Sequence, residues 1–227
     1  MLTIAFDLDG TLVDTAPDLI ATLNLILGRE GLPALPYKDA RMMIGGGARG
    51  MIEKALKAEG RDGAKLELDR MFGAFIDHYA AHIADRSRPF PALESALDRL
   101  AGEGHRLAVC TNKLEWLSVR LLETLQLTHY FAAICGQDTF GIQKPDPEVL
   151  RRTILKAGGD PSRAIMVGDS GTDIRTARAA AIPVVAVDFG YSDVPIASLQ
   201  PDGLINSFAD LPAAIEQIET GYRNRGE

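Results

Sequence analysis

The chain has 227 residues, of which 46% are hydrophobic and 24% charged, and its formal net charge is −7. Such usage excludes fibrous, disordered and membrane-spanning classes, and the length allows one large domain or a domain with a smaller one set into it. An acidic chain without a basic run is not built to bind nucleic acid or an anionic membrane, both of which require clustered Lys and Arg on phosphates.

The first apolar run, Leu2 to Phe6, reads as a buried strand. It is cut short by Asp7 and Asp9, so the start lacks the length and the basic flank of a secretory signal, and a cytoplasmic location is expected. From about Thr15 to Ala84 the period changes to helical, with Leu19, Leu23, Ile26 and Leu27 on one face and Met71, Phe72, Phe75, Ile76 and Tyr79 on another. This stretch is expected to be a helical insert, hinged near Asp14 to Pro17 and Asp85 to Pro91, where proline and polar residues interrupt the pattern. Short apolar runs then return at Arg106 to Cys110, Ala132 to Cys135, Ala164 to Val167 and Val184 to Val187. Between and around them lie helical patterns at Leu93 to Glu103, Glu115 to Leu125, Pro147 to Ala157 and Ile174 to Ala180. That alternation predicts an α/β fold, a parallel sheet wrapped by helices. The expected organisation is a core of residues 1–14 and 90–227 with a helical cap at 15–89. Cys110 and Cys135 have no motif spacing and read as buried thiols in a reducing compartment, and Gly221 to Glu227 is expected to be a frayed tail.

Four polar clusters follow the apolar runs: Asp7-Leu8-Asp9-Gly10-Thr11, Thr111-Asn112-Lys113, Lys144-Pro145 and Gly168 to Asp173. Ligands of open α/β sheets bind at the carboxyl ends of the strands, so the clusters are expected to converge on one crevice. Asp7, Asp9 and Asp169 would supply the hard oxygen ligands that suit Mg²⁺. A carboxylate can also attack phosphorus and form an acyl phosphate that water hydrolyses. Thr111 and Lys144 can bind phosphoryl oxygens, which explains how an acidic protein could hold an anionic substrate.

These motifs, in this order, resemble those of the haloacid dehalogenase superfamily, and the whole chain resembles its phosphoglycolate phosphatase branch. The resemblance implies a Rossmann-like core with a mobile helical cap. It also implies Asp7 as nucleophile, Asp9 as general acid and base, Thr111 and Lys144 as phosphate ligands, Asp169 as metal ligand and Asp173 as support for the metal shell. Members that cleave carbon–halogen bonds lack the acid at Asp9, so the resemblance points to a phosphatase or phosphomutase. Softer branch features are the Gly45-Gly46-Gly47 turn, Phe90-Pro91 and the Thr111-Asn112-Lys113 motif, which would place Asn112 at the substrate. Ala92, Gln126 and Ala181 stand where family members commonly carry glycine, at positions that look structural. The implied activity is Mg²⁺-dependent hydrolysis of a small phosphate monoester, with 2-phosphoglycolate foremost. A sugar-phosphate phosphatase, a pyrophosphatase and a phosphomutase share the same catalytic residues. A binding protein without turnover would have lost one of them. The chain could be a monomer or a homodimer.

Other features have plainer readings. Gly45 to Gly50 matches G-x-G-x-x-G by letter but lies in the helical insert rather than after the first strand, so a dinucleotide site is rejected. The loop is instead expected to bring amides of Gly46 and Gly47, with Arg49, towards the crevice and a substrate carboxylate. His78 and His82 have i, i+4 spacing but no third ligand in sequence, so a solvated or packed helix face is expected. Trp116 is expected to pack in the core or against the cap.

Overall fold

The computed structural model describes residues 1–224. In chain order its elements are β1 (Thr3–Phe6), β2 (Val13–Asp14), α1 (Ala16–Arg29), α2 (Tyr37–Arg41), α3 (Gly47–Ala58), α4 (Lys65–Ala81) and β3 (Arg88–Pro89). There follow α5 (Leu93–Gly102), β4 (Arg106–Cys110), α6 (Glu115–Thr124), β5 (Ala133–Cys135), α7 (Pro147–Lys156) and β6 (Ala164–Gly168). The chain then forms α8 (Gly171–Ala179), β7 (Val184–Val187), β8 (Gly203–Ile205) and α9 (Leu211–Asn224).

The main sheet has the order β5-β4-β1-β6-β7-β8, and every neighbouring pair in it is parallel. β1 lies at the centre, with Phe6 opposite Val109 on one side and Val167 on the other. The continuous apolar runs are explained by burial on both faces. Ile4 and Phe6 of β1 enter one cluster together with Val109, Ile165, Val167, Val185 and Val187. Ala5 enters the opposite cluster with Met166, Val184 and Ala186, where Leu150 and Ile154 of α7 and Ile174 of α8 cover the sheet. Helices on both faces of a parallel sheet make the α/β class that the alternation predicts.

β2 and β3 pair antiparallel, Val13 with Pro89 and Asp14 with Arg88, so the two links to the helical region run side by side. Asp18 at the start of α1 ties them together. Its buried carboxylate accepts hydrogen bonds from Arg86 N at 3.0 Å, Ser87 N at 2.7 Å and Ser87 Oγ at 2.7 Å. Within the region, α4 buries Met71, Phe75 and Tyr79 at four-residue spacing against α1 and α3.

Several local expectations change. β8 was not anticipated, because Gly203-Leu204-Ile205 is too short and too mixed to register as an apolar run. The expected tail begins as helix, since α9 continues through Gly221 to Asn224, and the rest of it lies outside the described residues. Trp116 is 46% exposed on α6 rather than packed in the core. Cys110 and Cys135 are buried free thiols, as expected. Among the described residues, no helix is long and apolar enough to cross a membrane.

Candidate active site

The carboxyl ends of β1, β4 and β6 deliver Asp7, Thr111 and Asp169 to one end of the sheet. Asp7 continues the β1 ladder through its amide, which donates to Val167 O at 2.9 Å. Its Oδ1 accepts from Leu8 N at 2.7 Å and lies 2.9 Å from Lys144 Nζ. The same ammonium is 2.6 Å from Asp173 Oδ1. Asp173 caps α8 reciprocally, its Oδ2 accepting from Ser170 N at 3.1 Å and Ser170 Oγ at 2.6 Å. Asp169 is held by Thr11 Oγ1 at 2.9 Å on Oδ1 and by Tyr191 N at 2.6 Å on Oδ2.

Asp7, Asp169 and Asp173 are all buried, and they offer oxygens that lie within 4.8 Å of one another. One ammonium cannot neutralise three carboxylates. Burial, only partly offset by Lys144, raises Asp7 to about 6, and burial together with the charges of Asp173 and Asp7 raises Asp169 to about 8. Burial alone would lower Lys144, but Asp173 and Asp7 more than offset it and hold the ammonium above its ordinary value. A buried excess of negative charge with oxygen-only donors fits a hard divalent cation. Asp173 lies within reach of the other two carboxylates while its own oxygens face Lys144 and Ser170.

Asp9 does not join that cluster. Its carboxylate is bound by Lys113 Nζ, at 2.9 Å to Oδ1 and 3.1 Å to Oδ2. Lys113 also donates to Tyr79 Oη at 3.0 Å, across from the core to α4. Burial would lower the Lys113 ammonium, yet Asp9 and the Tyr79 hydroxyl hold it above its ordinary value, while burial pushes Tyr79 up to about 12.

Asp7, Asp9, Thr111, Asn112 and Lys113 line one cavity whose far wall is apolar and comes from the helical region, including Leu19, Met51, Phe72 and Phe75. The open space is about 530 Å³ counting its mouth, towards the small end of ligand pockets. Asn112 has a structural role here. Its Oδ1 accepts from Lys144 N at 2.8 Å and its Nδ2 donates to Lys144 O at 3.1 Å, which fixes the loop that carries Lys144. Gly10 is required where it stands, because its φ is +85° and a Cβ would lie 2.5 Å from Asp169 Oδ2.

The Gly45 to Gly50 loop is only partly at the cavity. Gly45 and Gly47 line it, whereas Gly46 borders a separate cleft with Ser170 and Arg175. Arg49 points elsewhere: its guanidinium is 2.5 Å from Asp69 Oδ1 and stacks over Phe72 at 5.1 Å. His78 and His82 stack at 4.4 Å, with His78 bonded to Thr22 at 3.2 Å and His82 to Asp85 at 2.8 Å, a packed helix face as expected.

Lys113 and Tyr79 are the residues that sequence reasoning left without roles. Lys113 was visible inside its motif, directly after Thr111-Asn112, but nothing in sequence pairs it with Asp9. Tyr79 was visible only as one position of an apolar helix face. Tyr191, which holds Asp169 through its amide, and Asp14 through its hydroxyl at 2.6 Å, had no signal at all.

Comparison with known proteins gives this geometry a family. Residues 4–187 match the model of haloacid dehalogenase-like hydrolases. The chain belongs to the haloacid dehalogenase-like hydrolase family. It is 50% identical over 214 residues to phosphoglycolate phosphatase of Mesorhizobium japonicum, covering 94% of each chain. It is 47% identical to phosphoglycolate phosphatase of Caulobacter vibrioides, over 93% of this chain and 90% of that one. Among solved structures, that of a predicted phosphoglycolate phosphatase from Haemophilus somnus superposes with a TM-score of 0.86 at 30% identity, covering 94% and 97% of the two chains. β-Phosphoglucomutase of Clostridium difficile, at 17% identity and a TM-score of 0.80, shares the fold.

Proposed function

We propose that this haloacid dehalogenase-like hydrolase is a magnesium-dependent phosphatase that hydrolyses 2-phosphoglycolate through a phosphoryl group carried on Asp7. The observation that carries the chemistry is the placement of Asp7. Its Oδ1 is held by Leu8 N and Lys144 Nζ, which leaves Oδ2 as the oxygen to attack phosphorus. The substrate assignment is supported by relatives of that name at 47–50% identity over nearly the whole chain.

In this reading Lys144 and the Thr111 hydroxyl bind the non-bridging phosphoryl oxygens and neutralise the charge that resists an anionic nucleophile. Asp9, two residues on and facing the same cavity, donates a proton to the departing alkoxide and then takes one from the water that hydrolyses the aspartyl phosphate. Asp7, Asp169 and Asp173 would hold Mg²⁺, which supplies further charge neutralisation at the phosphoryl oxygens. The helical region at 15–89 acts as a cap whose apolar wall keeps bulk water from the intermediate, and the paired links at Val13–Asp14 and Arg88–Pro89 are where it turns to admit substrate.

The test is phosphate release from a panel of monoesters at fixed Mg²⁺. Under this reading 2-phosphoglycolate has the highest kcat/KM. A higher value for a sugar phosphate or pyrophosphate overturns the substrate, and isomerisation of a sugar phosphate without phosphate release overturns the reaction.

A further inference from the structure

The phosphoryl group and the cation account for Asp7, Thr111, Lys144, Asp169 and Asp173, but not for a second buried lysine. The Lys113 side chain is 5% exposed, and its ammonium lies against Asp9, Tyr79 Oη and the Tyr79 ring, 4.5 Å from the ring centroid. A lysine is rarely taken out of water without a partner of opposite charge, and two donors towards Asp9 and one towards Tyr79 fix the direction of this one. Among the described residues lining the cavity, Lys113 supplies the cationic group, since the Lys144 ammonium lies between Asp7 and Asp173.

We propose that Lys113, held in place by Tyr79, is the specificity-determining residue that binds the carboxylate of the leaving group, so that the site selects phosphate monoesters of small 2-hydroxycarboxylic acids. This inference rests on the phosphatase reading above. Asp9 must reach the ester oxygen to protonate it, and Lys113 Nζ is 2.9 Å from Asp9 Oδ1. In a 2-phosphooxy acid the carboxylate is attached to the very carbon that bears the ester oxygen. A cation in contact with Asp9 is therefore in reach of that carboxylate, whereas one placed further into the cap would fit longer acids. Leu19, Met51, Phe72, Phe75 and Ile76 of the wall offer no partner to the hydroxyls of a sugar, so a polyhydroxy leaving group set against them would bury unsatisfied polar groups, while the polar side chain of Gln137 lines the cavity from the core side. Arg49 does not compete for this role, because its guanidinium is bound to Asp69 and stacked on Phe72. Tyr79 comes from α4, so the carboxylate-binding geometry is complete only when the helical region lies over the core as it does here.

The experiment compares kcat/KM for 2-phosphoglycolate with that for 2-hydroxyethyl phosphate, which has the same two-carbon chain but a neutral hydroxymethyl group where the substrate has its carboxylate. Lys113 also touches Asp9, so both activities are expected to fall in Lys113→Met, and the readout is their ratio. The wild type is expected to favour 2-phosphoglycolate. Lys113→Met should lower that preference by at least about tenfold, through a higher KM for 2-phosphoglycolate, the loss expected of one charge-assisted hydrogen bond. Lys113→Arg should restore part of the preference, and Tyr79→Phe should reduce it by a smaller factor. Equal losses on both substrates overturn the assignment and leave Lys113 acting through Asp9 alone. Should Lys113→Met fail to fold by circular dichroism, an unchanged preference in both Lys113→Arg and Tyr79→Phe overturns it. A wild-type enzyme that favours 2-phosphoglycolate while the variants keep that preference removes only the role of Lys113. A wild type with no preference for the carboxylate removes the substrate reading along with it.

Discussion

Lys144 Nζ lies 2.9 Å from Asp7 Oδ1 with a side chain that is 1% exposed, so the cation beside the proposed nucleophile is sealed from water. The same ammonium is bonded to Asp173, whose side chain is fully buried. Removing it leaves buried carboxylates with no protein counter-charge, which is costlier than removing the whole arrangement. Lys144→Met is expected to destabilise the metal-free protein by about 3 kcal/mol or more, as measured by urea unfolding in chelator. Turnover should fall by about two orders of magnitude or more, the scale of losing one preorganised group that stabilises transition-state charge. An unfolding midpoint equal to wild type would show that the pair contributes nothing.

The three carboxylates give stability a definite dependence on pH. Without a cation, folded Asp7 and Asp169 hold their protons up to about 6 and about 8, against an ordinary value of 3.8. The folded state thus binds more protons than the unfolded chain between these values, and stability falls as pH rises. The contribution is fully present below 3.8 and is lost as pH passes through about 6 and then about 8. A cation needs the ionised carboxylates and relieves their repulsion, so its stabilisation runs the other way. The rise in Tm on adding Mg²⁺ should therefore be larger at pH 8.5 than at pH 5.5. An equal rise at both pH values would place the cation elsewhere.

Asp18 holds together the two links on which the helical region would turn. It is 3% exposed and accepts from Arg86 N, Ser87 N and Ser87 Oγ. Asp18→Ala strands these donors and is expected to cost roughly 2–3 kcal/mol, with kcat and KM changing together because closure is affected rather than the chemistry. Unchanged stability by thermal unfolding would contradict this account of the links.

The departures from the family's glycine pattern turn out to be conformational. Ala92, Gln126 and Ala181 have φ of 62°, 60° and 57°, the left-handed region that a Cβ disfavours. All three are exposed. Glycine at each removes that strain but gives the unfolded chain more freedom, so Ala92→Gly, Gln126→Gly and Ala181→Gly are each expected to stabilise by about 0.5 kcal/mol, near-additively. Destabilisation by all three in denaturant unfolding would show that the native backbone carries no strain there.

The sequence exposed those turns because the missing glycines were themselves a signal. It exposed the sheet for a comparable reason, since Leu2 to Phe6 and Ala164 to Val167 are buried on both faces and only the buried Thr3 interrupts their apolar runs. Asp7, Thr111 and Asp169 were legible because each directly follows a strand. What the sequence hid was pairing at long range. Lys113 and Asp9 are 104 residues apart, and Lys113 and Tyr79 are 34 apart on different elements. The contact of the Asp9 carboxylate with Lys113 is one such pairing, which its place two residues after Asp7 does not reveal. Arg49 looked like a carboxylate ligand because nothing local revealed its contact with Asp69, which lies 20 residues away on α4. An exposed pair of that kind is worth little, so Arg49→Ala should change stability by less than about 1 kcal/mol.

Asp7 is proposed to carry the phosphoryl group, and rapid acid quench of a single turnover tests this most directly. The quench should catch a phosphorylated peptide containing Asp7 by mass spectrometry. The Asp7→Asn protein should fold and show neither the phosphopeptide nor turnover. Phosphate release from wild type with no phosphopeptide at any quench time, together with activity retained in Asp7→Asn, would mean that water attacks the substrate directly and that Asp7 is not the nucleophile.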